Sequence, residues 1–257
     1  MILLSFDIEE FDMPLEYKGE IPFDQQIAIS RKGTENILNV LKKHDVKATF
    51  FSTVVFAENN IALIERLLAE GHELASHTWF HSQFEVADLQ KSRERLEDLF
   101  RVKVTGLRMP RMMPINETAV KNAGYEYNSS INPTFLPGRY NNLGVSRTYF
   151  LQDGVMQIPA SVSPNFRIPL FWLSFHNFPL DFYKKLSKDV LKKDRYLNIY
   201  FHPWEFAEIT NPKFKLPKFT TKNTGNAMIE RFDDYLTWLR NNQYQFGTIQ
   251  EFLENLK

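Results

Sequence analysis

Short apolar runs that end in ionisable residues, separated by helix-length amphipathic segments, recur along the chain and constrain its fold more than any other feature. Ile2 to Phe6 is such a run and passes directly into Asp7, Glu9, Glu10 and Asp12. A continuous apolar run of that length is expected of a strand buried on both faces. Thr34 to His44 follows with Ile37, Leu38 and Leu41 on one helical face, and Lys47 to Phe51 then reads as a strand. The unit repeats: Ile61 to Glu70 reads as a helix stopped by Gly71, and Glu73 to Ser76 as a strand running into His77. Asp88 is expected to cap a charged amphipathic helix reaching Phe100, after which the strand Val102 to Leu107 leads to Arg108.

The rhythm weakens after a short helix at Asn116 to Asn122, ended by Gly124 and followed by Glu126 to Tyr127. Ile131 to His176 reads mostly as loop, rich in Pro, Asn and aromatic residues, with one strand at Val155 to Pro159. A loop of that length is expected to be functional or to contain further elements. Regularity returns with a helix from Leu180 to Lys193, the apolar strand Tyr196 to Phe201 ending at His202, and a helix over Asn226 to Leu239. Tyr244 to Gly247 and Ile249 to Leu256 complete the chain as strand and helix.

Strands alternating with helices predict a parallel sheet, and polar residues at several strand ends predict a site on one face of an α/β barrel with fewer than eight regular repeats. An open doubly wound sheet is the structural alternative. No G-x-G-x-x-G or Walker-type loop follows any strand, which argues against nucleotide binding. No linker divides the chain, so one domain over residues 1–257 is expected.

The 31 basic and 31 acidic residues balance, so no positive surplus argues for nucleic acid or an anionic membrane as partner. Cys is absent, which removes disulfides, thiolate metal sites and cysteine nucleophiles and leaves metal chemistry to His, Asp and Glu. Met1 to Asp12 has no basic segment, and acids interrupt its apolar run, so neither a signal peptide nor a membrane-spanning segment is expected and a cytoplasmic location is. Oligomeric state is not legible, since no coiled-coil heptads occur.

Four places could carry chemistry. Ser76 to His81 reads SHTWFH, a spacing that lets two imidazoles converge on one cation when the segment is helical; two polar surface His beside Trp79 and Phe80 are the alternative. Asp7 and Glu9 share one side of their strand and could serve as general base and metal ligand, with Glu10 and Asp12 as solvated loop charges. Arg108 is the candidate guanidinium to keep a catalytic carboxylate ionised, although most loop arginines are simply solvated, and Arg111 has no assigned role. His202, at the mouth of a buried strand, could donate a proton to a leaving amine or be a satisfied structural residue. His44, His72 and His176 read as structural. With no G-x-S-x-G and no Cys, metal-activated water fits the inventory better than a covalent nucleophile.

Taken together, Ser5-Phe6-Asp7-Ile8-Glu9, Ser76 to His81, Arg108-Met109-Pro110 and Tyr200 to Glu205 resemble the polysaccharide deacetylases of carbohydrate esterase family four, with the NodB-like homology domain. Lys47 to Phe51 and Glu70 to His77 are also similar, and the resemblance spans residues 1 to about 205. It implies a distorted (β/α) barrel of about seven parallel strands, one divalent metal, usually Zn2+, and removal of acetyl groups from N-acetylated sugars. By position it implies Glu9, His77 and His81 as metal ligands, Asp7 as base, Arg108 as its partner and His202 as acid. The expected partner is an N-acetylated saccharide or lipid-linked sugar. Two departures stand out. Asp7-Ile8-Glu9 replaces the adjacent Asp-Asp pair of many members, and no Asp-x-x-Asp-Trp motif is present to orient His202. A metal-independent hydrolase of a small cyclic amide on the same fold and a non-catalytic glycan-binding protein are therefore the competing expectations.

Overall fold

A computed structural model describes residues 1–256, so Lys257, the last residue of the expected domain, lies outside the described residues. The strands are β1 (Ile2–Ile8), β2 (Thr49–Ser52), β3 (Glu73–Ser76), β4 (Gly106–Leu107), β5 (Tyr127–Asn128), β6 (Phe135–Leu136), β7 (Tyr140–Asn141), β8 (Phe150–Gln152), β9 (Val155–Gln157), β10 (Leu197–Phe201) and β11 (Phe246–Gly247). Among the described residues the main sheet runs β10-β1-β2-β3-β4-β5-β9-β8, with β11 also paired to β1. Every pairing in it is parallel except β8 with β9. The sheet curls into the expected distorted barrel. The segment that follows β9 closes onto β10 through Asn198, whose carbonyl accepts from the Ser161 N–H at 2.8 Å and whose side chain donates to the Ile158 and Pro159 carbonyls.

Strand alternation sorts β1 into two faces. Ile2, Leu4, Phe6 and Ile8 join the outer core, where Phe6 stacks on Phe50 at 5.0 Å between ring centroids and meets Phe201, Phe206 and Phe232. Helical residues such as Ile37, Leu41 and Phe232 cover that face. Leu3 faces the other way into the barrel with Phe51, Ala75, Tyr127, Ile158 and Tyr196. The same parity carries Ser5, Asp7 and Glu9 upward from Leu3 along the inside wall. Inward positions of β3 likewise end in His77, and those of β10 in His202. The apolar floor of the barrel therefore gives way to ionisable groups at its C-terminal mouth.

Several local expectations change. A short helix at Met13–Glu16 comes first, and the next covers Phe23–Lys43 and starts behind Pro22, well before Thr34, because its early turns carry Gln and Ser on a face that only the tertiary packing buries. Asp88 is the first residue of its helix, not the cap, and its carboxylate accepts from the Glu85 N–H. The stretch 131–176 contains the hairpin β6–β7, the hairpin β8–β9 and a helix at Trp172–Asn177. Strands of two or three residues held by a single turn leave too little alternation to read from sequence.

Gly33 lies in the middle of the helix Phe23–Lys43, where glycine costs about 1 kcal/mol relative to alanine. The packing explains it: a Cβ there would lie 1.8 Å from the Pro203 carbonyl oxygen, in the turn that follows His202. We expect Gly33→Ala to lower stability in urea denaturation by about 1–2 kcal/mol, the cost of overpacking against backbone exceeding the gain in helix propensity. An unchanged midpoint would mean that the helix and turn separate freely.

Candidate active site

The parallel register brings the functional strand ends level. Ile8 pairs with Ser52, Ser52 with Ser76 and Ser76 with Leu107, so the next residues, Glu9, Thr53, His77 and Arg108, follow one aligned row. On the other side Phe6 pairs with Phe201, which sets Asp7 beside His202. All five sequence-predicted strand-end residues thus meet at one mouth.

Arg108 is fully buried, and its guanidinium is wired on every edge. Nη1 donates to Asp7 Oδ1 at 2.7 Å and to Ser5 Oγ at 2.9 Å, while Nε and Nη2 donate to the Ser129 carbonyl and hydroxyl, each at 2.9 Å. The Phe51 ring lies 4.2 Å from its central carbon. Burial pushes the Asp7 carboxyl up, but the charges of Arg108, His77 and His202 outweigh it and hold Asp7 below the usual carboxylate range. Asp7 Oδ2 stands 3.9 Å from His202 Nε2.

Glu9, His77 and His81 form the second cluster, their nearest ligand atoms all within 4.8 Å of one another. Glu9 Oε2 is 2.9 Å from His77 Nε2 and 3.2 Å from His81 Nε2. His77 Nδ1 donates to the Arg108 carbonyl at 2.8 Å, and His81 Nδ1 to Asp12 at 2.7 Å. These outer hydrogen bonds fix both rings with Nε2 turned inward, the arrangement that ligating imidazoles require. Two imidazole nitrogens and one carboxylate fit a divalent ion, and His2Glu is a donor set of zinc sites. The longer Glu at position 9 reaches the cluster without difficulty. Burial lowers the His81 pKa, but Glu9 and Asp12 more than reverse this and push it up to about 9.

The histidines do not converge on a helix. Thr78 adopts φ +67, and the irregular turn 77–81 is anchored by its backbone carbonyls, with Thr78 accepting from Val54 N–H and Trp79 from Val55 N–H. Glu10 and Asp12 also depart from expectation, since both are buried. Glu10 accepts from the Thr53 hydroxyl at 2.7 Å, and Asp12 orients His81 while meeting Arg111 at 3.4 Å. Arg111 thus gains a role, pairing with Glu16 at 2.8 Å as well.

Sequence reasoning missed what holds His202. Its Nδ1 donates to Glu205 Oε1 at 3.0 Å, and Glu205 also accepts from the His202 backbone N–H. The Glu205 N–H in turn donates to the His202 carbonyl at 3.2 Å, which closes the turn Pro203–Phe206 around the pair. The Trp204 ring stacks on His202 at 5.2 Å, and Trp172 meets it edge-on at 5.4 Å. Burial lowers the His202 pKa, but the bond to Glu205 and the charges of Glu9, Glu205 and Asp7 raise it above the ordinary value. His72 stays away from the site, accepting from the Ala48 N–H at 3.2 Å, and burial pulls it down to about 4.

A cavity of about 360 Å3 opens over these groups, its wall built partly by Tyr140, Phe171 and Trp172 from the stretch expected to be loop. Fold and site together define an α/β barrel with ionisable groups gathered at one mouth. Residues 20–128 match the polysaccharide deacetylase family model, and over that stretch the chain is similar to its members. A peptidoglycan-N-acetylglucosamine deacetylase of Listeria monocytogenes is 46% identical over 50 residues, 20% of this chain and 11% of that protein. A chitooligosaccharide deacetylase of Bradyrhizobium is 48% identical over 48 residues, 19% of this chain and 22% of that protein. A probable polysaccharide deacetylase from Pseudomonas aeruginosa has the same fold, with a TM-score of 0.70 at 13% identity over 97% of this chain and 88% of that one. The alignments with the first curated relatives span no more than 35% of those proteins' length.

The buried pair gives a stability prediction. Arg108→Met leaves the Asp7 carboxylate buried without its partner and is expected to cost about 3–5 kcal/mol in denaturant unfolding. The double variant Asp7→Asn, Arg108→Met should recover part of that loss. A double variant that loses the sum of the two single effects would show that the pair is not coupled.

Proposed function

We propose that the protein is a metal-dependent hydrolase that removes N-acetyl groups from a sugar or glycan precursor, with Asp7 as base and His202 as acid. The observation that carries this reading is the arrangement of an ionised base and an imidazole acid beside a convergent His2Glu cluster at the mouth of one cavity. The named activities of the deacetylase relatives, on peptidoglycan and chitooligosaccharide, support the same bond.

Glu9, His77 and His81 would hold a divalent cation, most simply Zn2+, and the chemistry it supplies when bound is Lewis acidity, which polarises a carbonyl and lowers the pKa of water. Asp7 accepts the proton of the attacking water. Arg108 occupies Oδ1 of that carboxylate and leaves Oδ2 toward the cavity and His202. His202, held through Nδ1, presents Nε2 to the departing nitrogen and protonates it, so that the sugar leaves as a neutral amine. Asp7 must be ionised and His202 protonated at once. Their shifts have the required signs, down for Asp7 and up for His202. Activity should therefore persist above pH 6.5, the ordinary histidine value, and fall as pH rises through the higher His202 pKa.

His202→Gln is expected to lower turnover about 100-fold or more, with the metal content of the purified protein unchanged. Full turnover would remove His202 from the mechanism. Elemental analysis of wild type beside the His77→Ala, His81→Ala double variant, with acetate release from N-acetylglucosamine oligomers measured on the same samples, tests the whole reading. Near-stoichiometric metal lost in the variant together with acetate release is the expected result. Full activity after chelation would overturn metal dependence. A soluble or lipid-linked precursor as substrate belongs to the same proposal, and activity confined to intact wall polymer would overturn that part.

A further inference from the structure

Glu205 is shared by two imidazoles. Its Oε1 takes the Nδ1–H and backbone N–H of His202, and its Oε2 lies 2.8 Å from Nε2 of His176. Glu205 and His176 are both fully buried. The other nitrogen of His176, Nδ1, lies 2.6 Å from the Lys222 carbonyl oxygen. A carbonyl can only accept, so Nδ1 carries hydrogen. A bare Nε2 would set its lone pair against a carboxylate oxygen, so that nitrogen carries hydrogen as well unless Glu205 itself is protonated. Two N–H groups of His202 already point at Oε1 of Glu205, which favours the ionised carboxylate and therefore the hydrogen on Nε2 of His176.

We propose that His176 is held as an imidazolium that neutralises Glu205, making it a positioning residue for the acid His202. The inference rests on His202 being the acid of the proposed reaction. An ionised Glu205 alone would orient His202 and raise its pKa further, making it a weaker acid. Paired with His176, it keeps the hydrogen bond and loses most of its net charge. The remaining groups facing His202 are Asp7 from β1, Glu9 just beyond it, Tyr200 from β10 and the uncharged rings of Trp172 and Trp204. Tyr183, from the helix Leu180–Asp194, is the further titratable group near Glu205. Trp172 and His176 share a face of the helix Trp172–Asn177, and the Asn223 side chain donates to the His176 carbonyl at 2.8 Å, so the second imidazole is fixed from both sides.

Side-chain 15N NMR of the purified protein tests this, with the histidines assigned through the His176→Gln and His202→Gln variants. Both nitrogens of His176 are expected to carry hydrogen at the pH of the activity assay. One bare nitrogen there would overturn the proposal. His176→Gln keeps a neutral donor for Glu205, so the titration midpoint of His202 should rise by about one unit and carry the alkaline limb of kcat/KM with it. An unchanged midpoint in the folded variant would equally overturn it. Should that variant fail to fold, the wild-type nitrogen shifts decide by themselves. If wild type releases no acetate, the deacetylase reading fails while the His202 midpoint still tests the His176 charge.

Discussion

A guanidinium with no exposure to water stands at the centre of the barrel mouth, and the rest of the site is organised around it. Arg108 follows β4, bonds Ser5 and Asp7 of β1, reaches Ser129 just beyond β5, and lies against Phe51 of β2 and Tyr200 of β10. Desolvating such a cation is costly unless each donor finds a partner. Here β1, β2, β10 and the residue just beyond β5 each contribute a partner or a ring. The same residue's carbonyl oxygen takes the His77 N–H, so the base and the candidate metal cluster are positioned from one point.

The mouth divides into two halves that solve the same electrostatic problem differently. On the Glu9 side, carboxylates and imidazoles converge, with Asp12 and the Arg108 carbonyl holding the outer ring nitrogens. That geometry leaves two inward nitrogens and a carboxylate for one cation. On the His202 side, Glu205 lies beneath the imidazole and is backed by a second imidazole, closed in by Trp172 and Trp204. Asp7 lies between the halves and is kept ionised by Arg108 and the neighbouring imidazoles.

The strand ends were legible because strand parity and apolar runs are local properties. Asp7, Glu9, His77, Arg108 and His202 each follow a run that could only be buried, and parallel pairing then has one mouth at which to collect them. The long stretch 131–176 was not legible, because its hairpins are held by pairings of two or three residues and its helix by packing against Trp204 and Phe201. Charge placement was equally opaque. Glu10 and Asp12 look like solvated loop acids until Thr53 and His81 are brought to them from 43 and 69 residues away.

The sequence by itself determined the alternating α/β plan, the inward parity of each strand and the set of residues delivered to the mouth, since these depend on residue spacing along one chain. Only the tertiary structure decided how those residues are held. The turn at Thr78 that aims His81, the burial of Arg108 among five strands, and the joining of His176 to Glu205 across 29 residues each depend on a partner supplied by a different element. Spacing in one strand carries no information about which distant donor will satisfy a buried carboxylate. Packing decides that, because a buried charge persists only where the assembled neighbours supply its hydrogen bonds.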